Sequence, residues 1–332
     1  MSSSSNKYSD AKYPHHFLKK TYKAPHYEDQ PDSLLLEPNN HLSYIHSMNE
    51  PNFEDRTRHA LGGVIEWWRK MATRQPETQK IIINAGFGDF LNALWVEQRE
   101  RQALLALTEL WWDTTNTFHF SFGEMTLTPT DFTVITGLRL GGRRLSYYEN
   151  AHGDPHYLLE QLGTIVPIQR GGVRRTWLKN HFGDQREEDD ADPSCLARAF
   201  MLYMLSSIFF ASSGDVAPLG HLVCMEDIWG MGDYNWGNAA LAVLYRSMSD
   251  RSHGVSTNHC GMSFIWEIWY YEYLGFERPA LIDNDPSWPV MSNYHIDNRC
   301  DSINSFPQYN PAAAPPPPPL TEEVGPSKRR KP

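Results

Sequence analysis

The chain has 332 residues, 40% hydrophobic and 13% aromatic, with 11 Trp and a formal charge of −10. That is ample material for a packed core. It is too acidic a balance for binding nucleic acid over the whole surface, although a local basic patch stays open.

Residues 1–33 are polar, rich in Ser, His, Tyr and Pro, and are expected to be disordered; the apolar core of a secretion signal is missing from them. Leu34, Leu35 and Leu36 open the ordered part, which continues through His41, Leu42 and Ile45. The spacing predicts an amphipathic helix over 57–74, with Val64, Ile65, Trp68 and Met71 on one stripe. One long or two short helices are expected over 89–112, where Leu104, Leu107 and Trp111 recur at spacings of three and four.

The period then changes. Phe118, Phe120 and Phe122 alternate with polar residues, Gly123 and Glu124 read as a turn, and Met125 and Leu127 resume the alternation, which predicts a short hairpin. Thr128 is suited to cap a helix, Pro129 to its first position, and Asp131 follows the cap by three residues. Phe132, Ile135 and Leu138 lie at helical spacing, and Gly137 can close the helix in a left-handed conformation. Two short helices are expected at 154–163 and 172–182, separated by Pro167 and two glycines.

Glu187, Glu188, Asp189 and Asp190 read as an exposed loop. Asp192 and Pro193 start the clearest helix, with Leu196, Phe200, Tyr203, Met204 and Ile208 as its buried stripe. Helices at 234–250 and 262–274 follow. The second is apolar nearly all round, and its length marks it as a core helix: no run in the chain approaches the roughly 18 to 20 apolar residues of a membrane span. Residues 283–332 are proline-rich and read as a disordered tail. The expected fold is a mainly α single domain over 34–282 with one or two small β-hairpins, flanked by disordered N- and C-terminal tails, in a soluble intracellular protein.

Candidate chemistry is thin. Cys195, Cys224, Cys260 and Cys300 stand far apart without a CxxC pair, which speaks against a zinc ribbon or disulfide scaffold and fits a reducing compartment. His152, Asp154 and His156 are of metal-ligating type, but Gly153 and Pro155 mark a plain surface loop there. Glu124 and Asp131 are an acid/base pair by type, yet turn and cap roles explain both. No P-loop, GxSxG, HExxH or dinucleotide fingerprint occurs. Direct nucleic-acid contact is the main rival to a binding role without chemistry. Residues 127–138 resemble the first helix of a helix-turn-helix, and Arg139, Arg143, Arg144, Arg170, Arg174 and Arg175 are suited to phosphates, but the glycines that follow lead into no evident recognition helix. Lys328, Arg329, Arg330 and Lys331 have the look of a nuclear import signal.

The segment TFHFSFGEMTLTPTDFTVITGLRLGG resembles the signature of the plant mobile domain, the family of MAIN and MAIN-like proteins. Trp111, Thr117, Phe118, His119, Phe122, Gly123, Glu124, Met125, Thr126, Asp131, Gly137, Leu138 and Gly141 carry the match. It continues through Trp177 and Leu178, the Ala197-Arg198-Ala199 helix, Tyr234-Asn235-Trp236-Gly237, Leu244-Tyr245-Arg246, the aromatic helix and Arg278-Pro279. The chain departs from the family pattern at Leu110-Trp111 and at Thr114-Thr115, where members often carry Arg-Trp and Glu-Thr pairs. The resemblance implies a nuclear protein acting in meristem maintenance, cell division, genome integrity and transposon silencing, in some members with a phosphoprotein-phosphatase-like partner. It carries over no catalytic residue, cofactor or metal. The family's aminotransferase-like label requires a Schiff-base lysine and a phosphate cup. Lys179 is the one lysine between Ile81 and Ser327, with no glycine-rich cup near it. The expectation is therefore a non-enzymatic nuclear interaction protein. The alternatives are a transposon-derived DNA-binding module and a cryptic enzyme.

Overall fold

The computed structural model describes residues 56–57, 61–94, 104, 107–108, 110–120, 123–211, 214–256, 258–274 and 289–291. Among these, nine α-helices and three small sheets surround one core, so the expected mainly α architecture with small β elements is observed. The proposed tail at 1–33, the opening at 34–45, Phe122, Arg278, Pro279 and the terminal basic run lie outside the described residues.

After strand β1 (Arg56–Thr57), helix α1 (Leu61–Arg74) buries Val64, Ile65, Trp67, Trp68 and Met71. Helix α2 (Pro76–Ile82) runs through a π turn (Ile83–Phe87), where Gly86 takes φ 87°, into α3 (Gly88–Ala93). The sequence reading passes over α2, and the reason is physical: Gln75 gives it no side-chain cap. The cap comes instead from the acidic loop, where Glu188, Asp189 and Asp190 are exposed as expected and Glu187 is half-buried. Glu187 accepts from the backbone N–H of Glu77 at 3.0 Å and of Thr78 at 2.7 Å, and from the Thr78 hydroxyl at 2.7 Å. Gln75 is fully buried and donates to the carbonyls of Phe182 and Gln185 while its own carbonyl receives the Trp67 indole N–H.

Residues 104, 107, 108 and 110 are helical, as expected, but the expected helix stops short of 111. β2 (Trp111–Trp112) pairs antiparallel with β3 (Thr117–Phe120), which pairs in turn with β4 (Gly123–Met125). Gly123 and Glu124 are thus strand residues opposite Phe120 and His119. Helix α4 (Pro129–Thr136) forms as expected, with both bonds of the capping box between Thr128 and Asp131, and Gly137 in the left-handed conformation at φ 74°. Helix α5 (Pro155–Leu162) is capped by Asp154, so that residue belongs to a helix start and not to a plain loop.

The expected helix at 172–182 opens as strand. β5 (Ile168–Gln169) and β6 (Gly172–Arg174) form a hairpin that β7 (Val216–Pro218) completes, and α6 (Arg175–Phe182) begins only after it. Helix α7 (Pro193–Met204), capped by Asp192, continues into a π turn (Leu205–Phe209) and is the centre of the core, packed by α2, α5 and α6. Phe200 meets the Trp67 ring edge-on at 5.3 Å. Helix α8 (Trp236–Ser252) leads through β8 (Asn258–His259), parallel to β1, to α9 (Phe264–Leu274), whose residues 264–271 are all buried. Met291, beyond the expected domain end at 282, is fully buried in the same core, so the folded unit reaches past that boundary.

Candidate functional site

The residues that carry the family motif converge, and they do so on one another. Phe118, at the centre of the β2-β3-β4 meander, lies edge-on to Trp111 at 5.0 Å and to Trp266 at 5.1 Å, with Trp269 at 5.3 Å. Trp111 donates its indole N–H to Ser249 at 2.9 Å, and Tyr245 lies 5.7 Å from its ring. The Tyr245 hydroxyl donates to the Leu127 carbonyl just before α4, and the Tyr273 hydroxyl donates to Asp131. Thr126 donates to the Asn116 carbonyl at 2.6 Å and closes the meander. The Tyr245 and Tyr273 bonds hold the start of α4.

His119 lies on the other face, buried and stacked on Trp112 with ring centres 3.9 Å apart. Its Nε2 is 3.7 Å from the exposed Glu124 carboxylate, which also accepts from Thr117 at 3.3 Å. Burial pulls the imidazole below its ordinary pKa, and the Glu124 charge opposes this. Asp131 directs one carboxylate oxygen to the Thr128 N–H and hydroxyl at 2.7 Å each, and the other to Tyr273. It is occupied as a cap and does not face Glu124.

The second part of the motif grips the first. Gly141 N–H donates to the Asn235 side chain at 3.0 Å; Arg143 N–H donates to the Asp233 carbonyl at 2.7 Å, and Asn235 N–H returns a bond to the Arg143 carbonyl at 2.9 Å. Trp236 anchors the start of α8 by donating to the Met231 carbonyl at 2.8 Å. A Cβ on Gly237 would stand 2.2 Å from the Arg139 carbonyl oxygen, and one on Gly142 2.3 Å from that of Asp233. Only bare backbone permits this approach. Leu138 is buried beside Gly137, whereas Arg246 stays exposed with Asp250 at 3.3 Å.

Of the six arginines, Arg143, Arg174 and Arg175 have partners within the fold. Arg175 donates to the carbonyls of Ser206 and Gly214, and burial lowers its pKa. Arg143 lies 4.3 Å over the Tyr234 ring and donates to the Gly230 carbonyl, and Arg174 bonds Gln169. Arg139, Arg144 and Arg170 are exposed. Residues 138–150 hold no helix, so α4 has no recognition helix after it. Lys179 pairs with Glu66 at 2.5 Å on the surface between α6 and α1, where Lys179 and Lys70 hold that carboxyl down at about 2. No group of three His, Cys, Asp or Glu that could hold a metal ion exists among the described residues, and no described helix is long and apolar enough to cross a membrane. An open hollow of about 280 Å³ between α1 and α3 is lined by Trp68, Arg69, Gln79, Asn92 and apolar neighbours. Its described lining offers hydrogen bonds but no carboxylate, imidazole or thiol to move a proton. Glu187 and Gln75, which join the first helices to the 182–187 loop, were missed from sequence because their partners lie more than a hundred positions away.

Comparison with known proteins places these residues in context. Residues 86–307 match the model of the plant mobile domain. The chain is 33% identical over 214 residues to Protein MAIN-LIKE 2 of Arabidopsis thaliana, covering 62% of this chain and 32% of that protein. It is 31% identical over 204 residues to Protein MAINTENANCE OF MERISTEMS of the same plant, covering 60% and 42%. A serine/threonine-protein phosphatase 7 long form homolog, also from Arabidopsis thaliana, is 28% identical over 262 residues, 75% of this chain and 19% of that protein. The chain thus spans less than half the length of these curated relatives. No solved structure matches. A motif whose aromatic, glycine and cap residues lock one core together, over a match covering most of the chain, makes this a member of the plant mobile domain family.

Proposed function

We propose that the chain is a non-enzymatic nuclear interaction protein that acts, as its relatives' names suggest, in the maintenance of meristems, together with cell division, genome integrity and transposon silencing. The observation that carries this is the use of the motif: Trp111, Phe118, Asp131, Gly137, Gly141, Trp236, Gly237 and Tyr245 turn toward one another and hold a scaffold. A scaffold that presents surfaces fits a binding role. The match to one fifth of a phosphatase homolog fits a module that works beside other domains, and favours a phosphoprotein-phosphatase-like protein as the partner. Import is assigned to Lys328, Arg329, Arg330 and Lys331. A fluorescent fusion of the full chain in plant cells is expected to concentrate in the nucleus, and replacing those four residues with Ala to disperse it. A wild-type fusion that stays in the cytoplasm would overturn the nuclear role.

A further inference from the structure

The β5-β6-β7 sheet places Ile168, Val173 and Ala217 opposite one another, and residues directly opposite share a face. Val173 and Ala217 are fully buried on that face, but Ile168 is 41% exposed. The core-facing row therefore runs past its cover onto the edge strand. Three residues earlier, before the strand begins, Ile165 is 86% exposed. The loop of Arg170 and Gly171 makes Gln169 and Gly172 the hydrogen-bonded pair beside the turn, so the N–H and C=O of Ile168 face away from β6. Among the described residues no strand pairs with that outer edge. Pro167, which lacks an N–H, falls on the alternate set that faces inward and leaves the outward set complete.

The hairpin tip adds charge. Arg170 sits at φ 51° followed by Gly171 at φ 75°, a turn that ordinarily takes Asn or Gly at its first position. A β-carbon residue held there is a strained choice, which points to the side chain and not to the turn. Arg170 is exposed, and exposed Arg174 donates to the neutral Gln169 amide. The edge thus combines an uncovered isoleucine at the end of the core-facing row, outward-facing backbone hydrogen-bonding groups and two cations.

Resting on the interaction role given above, we propose that β5 is a strand-addition site for an extended partner segment that alternates branched aliphatic with acidic residues. The partner's backbone would pair with Ile168, its aliphatic side chains would cover Ile168, and its carboxylates would meet Arg170 and Arg174. Two arginines are too few to track a nucleic-acid backbone, and the aliphatic row has no use for one.

The test is selection of phage-displayed random decapeptides on the immobilised full chain, followed by binding of labelled synthetic copies. Enriched peptides are expected to alternate Val, Ile or Leu with Asp or Glu. Their affinity is expected to fall about tenfold for Ile168→Lys and roughly threefold each for Arg170→Asn and Arg174→Gln. The unfolding midpoints of the three variants are expected to stay near wild type, since all three side chains are exposed and Asn suits the turn. The outward-facing amide of Ile168 should become protected from hydrogen exchange when peptide binds. Lack of enrichment, peptides without the acidic alternation, or binding indifferent to Ile168→Lys would overturn the site. So would displacement of the peptide by random duplex DNA, which means a general polyanion surface, and a dimer abolished by Ile168→Lys, which means a second copy on the edge. Proximity labelling in nuclei separates the two levels: partners captured equally by wild type and Ile168→Lys overturn the edge and leave the interaction role standing.

Discussion

At Gly237 the helix α8 backbone passes so close to Arg139 that an added methyl would meet its carbonyl oxygen at 2.2 Å, whereas at Gly153 nothing lies within 4 Å. Gly237→Ala is expected to destabilise the chain by about 2–3 kcal/mol, and Gly153→Ala to change it by less than about 1 kcal/mol, in urea unfolding. Glu187 caps α2 through three bonds, so Glu187→Ala should lose about 1–2 kcal/mol and Glu187→Gln, which still accepts, distinctly less. Half-buried His221 and buried His259 set a pH dependence. Burial lowers His221 to about 4 and His259 to about 3, both below the ordinary 6.5. The unfolded chain therefore binds protons that the folded one refuses once pH drops below 6.5, and stability falls from there toward pH 4. The Glu66 contribution disappears only below 4.5 and lies outside that window. His221 stacks on Phe210 at 5.0 Å, so His221→Phe keeps the packing and should flatten the slope between pH 4.5 and 6.5, read by denaturant midpoints across that range.

Among the elements, what could be read from sequence was what is local. Thr128, Asp131 and Gly137 lie within one short helix, and α4 starts and stops where they predict. The aliphatic stripe of α1 and the cap of α7 are local in the same sense. Trp111 misled because it continues the spacing of Leu104 and Leu107, although its strand is specified across the turn by Phe118 and Thr117. The 172–174 strand was invisible because its outer partner, β7, lies about forty residues on and supplies the pairing that overrides a helical pattern. The β5-β6 turn offers a prediction at this scale. Arg170→Gly removes the left-handed strain at φ 51° and should raise stability by about 1 kcal/mol in thermal or urea unfolding. A decrease would mean that the Arg170 side chain supports the hairpin and is not held ready for a partner.

For the whole molecule, the motif proved readable as kinship and opaque as geometry. Sequence order places Gly141 and Asn235 ninety-four positions apart, and only the fold shows that one segment is the receptor for the other. The same is true of Tyr273 and Asp131, which tie the last aromatic helix to the cap of α4. The core does not end at 282, because Met291 returns to it. Taken together, a single core held by the motif leaves the surface to do the work, and Glu124 is the motif carboxylate that remains exposed. The decisive measurement is therefore the set of nuclear partners captured by a full-length Glu124→Gln chain, compared with wild type at matched folded stability. The expected result is an unchanged partner set and unchanged stability. A Glu124→Gln chain that folds as well as wild type but loses its partners would contradict a scaffold role for the motif and make that carboxylate part of the function.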